Sequence, residues 1–148
     1  MPTAKQKVGD VGERHVARHM PCLKCKRSGS MKQLPPNFKC ADLICDFCGA
    51  TSQVKTFRKD NEGLPPSILG AAWQPQSERM QNGIYHALWL VRLSANMRVK
   101  EVWLLPSELQ NENLFQKRQP LSANAKRAGW QGYLIDAKGF ADRIIKMQ

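Results

Sequence analysis

No stretch of the sequence approaches the roughly 20 consecutive apolar residues that a membrane-spanning helix needs. The opening MPTAKQKVGD also lacks the apolar core of a signal peptide. These two absences set an expectation of a cytoplasmic protein with no membrane partner. Negative charge is scarce as well: 12 Asp and Glu stand against 23 Lys and Arg, a formal net charge of +11. An imbalance of that size points to a polyanionic partner, nucleic acid before any other. Neither an internal repeat nor a low-complexity tract is present. Length is limiting too, because 148 residues suffice for one domain with a real core but not for a catalytic domain plus a separate full-sized reader. Residues 1–148 are therefore expected to form a single domain.

The cysteine count is five, an odd number that argues against a disulfide set, and four of the five form Cys22-x-x-Cys25 and Cys45-x-x-Cys48, 19 residues apart. Each C-x-x-C turn can aim two sulfurs at one point, and two turns close a tetrahedron with no open position for water. The pattern predicts a structural zinc site within residues 22–48. The alternative is four reduced cysteines packed as small apolar side chains. Cys40 stays outside the tetrahedron, two positions before Asp42 on the same strand face, and reads as a buried small side chain. His15 and His19 have a metal-compatible spacing, but with four thiolates available they read as a solvated helix face and are assigned no role.

Asp10 followed by Glu13 is a D-x-x-E start signal ahead of Val11, Val16 and Met20, which predicts a short amphipathic helix over 10–20. Short apolar and β-branched runs, KCADLIC over 39–45 and ATSQVKTF over 50–57, predict a hairpin whose tip carries the second cysteine pair. Residues 58–82 mix charge, Pro-Pro and Gly and read as a long exposed connection with a helical stretch near 77–81. The runs IYHALWLVRL (84–93) and VKEVWLL (99–105) are apolar enough to be central strands covered on both faces. Pro106 ends the second run, and a polar helical stretch is expected to follow to about residue 115.

One constellation carries reactive chemistry. Asp42 lies on the first strand of the hairpin, and Gln53 and Lys55 alternate onto one face of the second while Val54 points the other way. An acid opposite a Q-x-K pair can hold a divalent cation on a scissile phosphate, with the lysine near the attacking water or the developing negative charge. The other reading is a surface hairpin that carries these residues by chance. In the segment 116–136, Ser122 can cap a short helix closed by Gly129, grouping Lys126 and Arg127 with Lys117 and Arg118. These four cations suit either phosphate contacts or a solvated basic face. Trp130 either contacts a base or anchors the loop in the core.

The order of these elements resembles that of the DpnI-type, or Dam-replacing, restriction endonucleases. It runs from a helix bearing Glu13 through a C-x-x-C pair, an Asp on a strand and a second C-x-x-C to Q-x-K. The far end agrees, since QKRQPLSANAKRAGWQGYLID over 116–136 is similar to that family's R-K-P-L-x-x-x-A-R-R-A-G-W-x-G-x-x-I-D. The resemblance implies an α/β (mixed α+β) core sheet of the PD-(D/E)xK nuclease type flanked by helices, with an inserted four-cysteine zinc site. It further implies cleavage of double-stranded DNA with Mg²⁺, at adenine-methylated GATC, by a Type II restriction-like endonuclease. By position Asp42 matches the family's metal-binding aspartate and Lys55 its lysine. Gln53 stands where the family usually has a glutamate, a variant similar to that of Mrr-type nucleases, so Asp42 and Gln53 are the expected Mg²⁺ ligands. Glu13 stands where many members carry a helix acid near the active site, and it equally fits a capping box. The best-known member carries a winged-helix reader after its nuclease domain; without one here, the nuclease domain itself is expected to read sequence. Two rivals remain: a zinc-dependent DNA-binding protein that has lost cutting, encouraged by the neutral Gln53, and a zinc ribbon tethering a protein partner.

Overall fold

The computed structural model describes residues 2–36, 38, 41–119 and 132–148. Cys40, Lys126, Arg127, Trp130 and the helix expected to begin at Ser122 lie outside the described residues. In chain order the elements are α1 (Ala4–His19), β1 (Met31–Gln33), β2 (Leu43–Cys45), β3 (Thr51–Arg58), β4 (Ile68–Gly70), α2 (Trp73–Gln81), β5 (Ala87–Leu93), β6 (Val99–Leu105), β7 (Phe115–Lys117), β8 (Tyr133–Ile135) and β9 (Ile145–Lys146). The chain divides into two compact units. The first comprises Met1–Gly63, His86–Ser107 and Ile144–Gln148; the second comprises Leu64–Tyr85 and Glu108–Arg143. No helix among the described residues is long and apolar enough to cross a membrane.

The first unit is a mixed six-stranded sheet, ordered β1-β2-β3-β5-β6-β9, with α1 on one face. All neighbours are antiparallel except β3 and β5, which pair in parallel from Ser52↔Ala87 to Arg58↔Leu93. A parallel pair needs a long crossover, and residues 59–86 supply it. The hairpin expected from the two short runs is present as β2 and β3, joined in the register Leu43↔Ser52 and Ile44↔Thr51, but β2 begins only at Leu43, so Asp42 lies just before the strand and not on it. The two central strands are also present, although β5 begins at Ala87, after the exposed Ile84. Val54, Trp89, Val91, Val102 and Leu104 bury one face of the sheet against Val16 and Met20 of the α1 segment. The opposite face of the strands buries Leu88, Leu90, Trp103 and Leu105.

Helix α1 starts six residues earlier than the D-x-x-E signal predicts. Its N-cap is Thr3, whose hydroxyl accepts the N–H of Gln6 while the Gln6 side chain accepts the N–H of Thr3. That reciprocal arrangement is a capping box. It overturns the capping reading of Asp10 and Glu13, which lie in the middle of the helix. The first turn is exposed and rests on helix-favouring Ala, Lys and Gln rather than on burial, so it leaves no apolar period to read. Gly12 lets α1 approach β3 closely: a Cβ at this position would overlap the Thr56 side chain.

A buried ion pair ties β5 to β6. The Arg92 Nε donates to the Glu101 carboxylate at 2.6 Å, Arg92 also donates to the Lys59 carbonyl at 2.8 Å, and Glu101 accepts the Gly63 N–H at 2.8 Å. Burial pushes the Glu101 carboxyl up, but the Gly63 N–H, Lys146 and Arg92 together outweigh it and bring the group down to about 2. A depressed carboxylate contributes stability that is present above its usual value and is lost as pH falls through its folded value. The first unit should therefore lose stability as pH drops from about 4.5 to about 2. Glu101→Gln leaves the Arg92 guanidinium buried without its counter-charge, and the expected cost is about 3 kcal/mol at neutral pH. Denaturant unfolding at pH 7 and pH 3 checks both points: the variant should be weaker at pH 7 and lose less than wild type on acidification.

The second unit carries a three-stranded antiparallel sheet, β4-β8-β7. The connection expected to be exposed over 58–82 instead holds β4 and α2, with Ile68, Gly70 and Gln76 buried. Close packing against the Tyr133 ring, which a Cβ at Gly70 would strike, explains the glycine there. The helical stretch expected before residue 115 is two short 3₁₀ turns, Ser107–Leu109 and Glu112–Leu114, the second capped by the Asn111 side chain. The chain then enters β7 at Phe115. Strands β7 and β8 pair from Phe115↔Ile135 to Lys117↔Tyr133, and the Arg118 N–H donates to the Gly132 carbonyl.

Candidate active site and metal centre

The four cysteines converge in the first unit. Their sulfurs all lie within 4.8 Å of one another, with Cys22 and Cys48 at 3.6 Å and Cys25 and Cys45 at 3.7 Å. A zinc–sulfur bond of roughly 2.3 Å in a tetrahedron gives a sulfur–sulfur edge of about 3.8 Å, so this donor set fits a metal ion such as zinc. The two C-x-x-C turns are built alike. In one, the Lys26 N–H donates to the Cys22 carbonyl; in the other, the Gly49 N–H donates to the Cys45 carbonyl. Both residues adopt positive φ, 64° at Lys26 and 79° at Gly49, which folds the chain back after the second cysteine. The Ser30 hydroxyl lies 3.1 Å from the Cys45 sulfur. This hydrogen bond, aided by the Cys48 and Phe47 N–H groups, brings the Cys45 thiol down to about 6, so the ligand form is favoured at neutral pH. Arg27 stacks on Phe47 at 3.8 Å and links one turn to the other.

Strand β2, which leads into the second cysteine pair, also places Asp42. The Asp42 N–H donates to the Ser52 carbonyl and the Asp42 carbonyl accepts the Leu34 N–H. The side chain then reaches across, and its Oδ2 accepts the Val54 N–H at 2.8 Å. Val54 lies between Gln53 and Lys55, so the carboxylate is pinned beside the Q-x-K pair. The side chains of Gln53 and Lys55 are half-buried, whereas Ser52 and Val54 are buried, the alternation the sequence predicts. Glu13 joins this group from α1. Burial first, then the neighbouring charge of Asp42, pushes its carboxyl above the usual range, and Lys55 pulls it back. Gln33 of β1 donates through Nε2 to both Glu13 and Asp10 at 3.1 Å. Two carboxylates that repel each other near an amide and an ammonium form an oxygen-rich site that a hard divalent cation would relieve.

Lys117 ends β7 in the second unit, with Arg118 immediately after it. His15 and His19 stack with ring centroids 4.7 Å apart, and the His15 Nε2 shares a hydrogen bond with the Gln148 side chain. Among the described residues, the four cysteines are the one cluster of three or more Cys, His, Asp or Glu side chains close enough to share a metal ion. Sequence reasoning missed Gln33 and Ser30, both of which act on site residues from β1 or its approach. A three-residue strand carries too little pattern to announce itself, and neither residue has a motif partner nearby in sequence.

The family model of DpnI, the Dam-replacing family, matches residues 2–144. That span contains the helix acid, both cysteine pairs, Asp42, the Q-x-K strand and the basic C-terminal segment. The chain belongs to the Dam-replacing family, and at the family level it is a restriction-like nuclease.

Proposed function

We propose that this chain is a Type II restriction-like endodeoxyribonuclease that hydrolyses phosphodiester bonds of double-stranded DNA in the cytoplasm, with adenine-methylated GATC as its target. Asp42 and Gln53 hold Mg²⁺, Glu13 adds a carboxylate from α1, and a structural zinc held by Cys22, Cys25, Cys45 and Cys48 fixes the hairpin. The bound cation supplies Lewis-acid polarisation of the scissile phosphate. Lys55 orients the attacking water and stabilises the charge that develops on phosphorus oxygens as the P–O bond breaks. Lys117, Arg118, Lys126 and Arg127 contact phosphates, and Trp130 contacts a base. The observation that carries this reading is the 2.8 Å hydrogen bond that pins the Asp42 carboxylate between Gln53 and Lys55. Glu13 strengthens it, because a second carboxylate beside Asp42 compensates for the neutral amide of Gln53.

The test is a digestion of methylated and unmethylated plasmid with Mg²⁺, with Mg²⁺ omitted as control, followed by mapping of the ends. Cutting confined to methylated plasmid in the presence of Mg²⁺ is the expected result. Tight duplex binding with no cutting in Mg²⁺ or Mn²⁺ would establish the binding-only alternative instead.

A further inference from the structure

The outer side of α1 and the edge strand β1 frame an open groove of about 650 Å³ in the first unit. Arg14, Arg18 and Lys32 surround it, and Gln33 closes the end nearest Glu13. Arg14 is paired with Asp10 at 3.0 Å, whereas Arg18 and Lys32 have no carboxylate partner among the described residues. Lys32 donates to the Gly29 carbonyl at 3.4 Å. Arg14 and Arg18 are also an i,i+4 pair of like charge on one helix face, of which only Arg14 has a neighbouring carboxylate among the described residues. Their Cα positions are about 6 Å apart along the helix axis, within reach of neighbouring phosphates on one strand.

We infer that this groove binds the phosphodiester backbone of the duplex beside the cleavage point, a DNA contact in addition to those proposed for the basic segment 116–136. The inference rests on the nuclease reading of Asp42, Gln53 and Lys55. Gln33 is the physical link, since the same side chain lines the groove and donates to Glu13. A strand seated on Arg18 and Lys32 is thereby directed past the acid cluster. These contacts reach phosphates and not base edges, so they add affinity without sequence preference. The competing explanation is that Arg18 and His19, in the last turn of α1, merely complement the helix dipole.

Binding to a short synthetic duplex, with and without methylated GATC, distinguishes the two when measured across salt concentration without added Mg²⁺. The neutral double variant Arg18→Gln/Lys32→Gln should lower the slope of log affinity against log salt by about 1 for each cation removed, equally on both duplexes. The charge-keeping swap Arg18→Lys/Lys32→Arg should retain the wild-type slope. Wild-type affinity and slope in the neutral variant would overturn the groove assignment. So would equal losses in both variants, which would mark a structural effect. Wild type that binds neither duplex would sink the nuclease reading itself, and the groove assignment with it.

Discussion

Asp42→Asn should lower DNA cleavage by about a thousandfold while zinc content, fold and duplex affinity stay at wild-type levels. Asparagine is the informative substitution because the native carboxylate has two jobs. Its Oδ2 accepts the Val54 N–H at 2.8 Å, and on the proposed reading its negative charge attracts a cation. Alanine removes both and strands the backbone donor of the buried Val54, which costs about 1–3 kcal/mol. Asparagine keeps an acceptor for Val54 and removes the charge alone. Within the same experiment, Gln53→Glu should reduce the Mg²⁺ concentration needed for half-maximal cutting, because a second charged oxygen on the hairpin strengthens a hard-cation site. Lys55→Ala should lower turnover more than binding if, as proposed, its cation acts on charge that develops in the transition state. Wild-type cutting by Asp42→Asn would remove Asp42 from the chemistry.

The parts of this site that could be read in advance are those fixed by short-range geometry. Two C-x-x-C turns specify four converging sulfurs whatever the intervening fold, and period-two alternation is enough to put Gln53 and Lys55 on one face of β3. The central strands were legible for a similar reason, since β5 and β6 are buried on both faces and show as continuous apolar runs. What escaped depends on contacts between segments far apart in sequence. Gln33 meets Glu13 across 20 positions, and Ser30 meets Cys45 across 15. Strands β4, β7 and β8, three residues each, are too short to show a period, and their pairing partners are distant in the chain. The start of α1 was missed for a different reason. Its capping box is Thr3 with Gln6, and the helix then runs through an exposed turn before its first partly buried valine. A second start signal inside the helix, Asp10 and Glu13, competed with the true one.

The larger structural effect should come from the metal. Removing zinc, or replacing Cys45 by alanine, is expected to abolish cutting and to release β1 and β2 from β3. Binding of a structural zinc at four thiolates is worth on the order of 10 kcal/mol near neutral pH, and the backbone ladders that join β1 and β2 to the rest of the sheet are short. Strand β1 pairs with β2 over three positions, and β2 with β3 over two. Ladders that short are marginal by themselves. Cys22 and Cys45 are also part of the main core cluster with Val16, Leu43 and Val54, so losing the metal leaves unpaired thiolates or empty space beside the helix. Asp42 is displaced together with β2, and its bond to Val54 is broken. Hydrogen exchange at the Val54 amide reads this directly: it should be slow with zinc bound and fast in zinc-stripped or Cys45→Ala protein. Cys40→Ala should retain a full complement of zinc and wild-type protection at Val54. Unchanged protection at Val54 after complete zinc removal would show that packing alone sets the hairpin, and that the metal serves some purpose other than positioning Asp42.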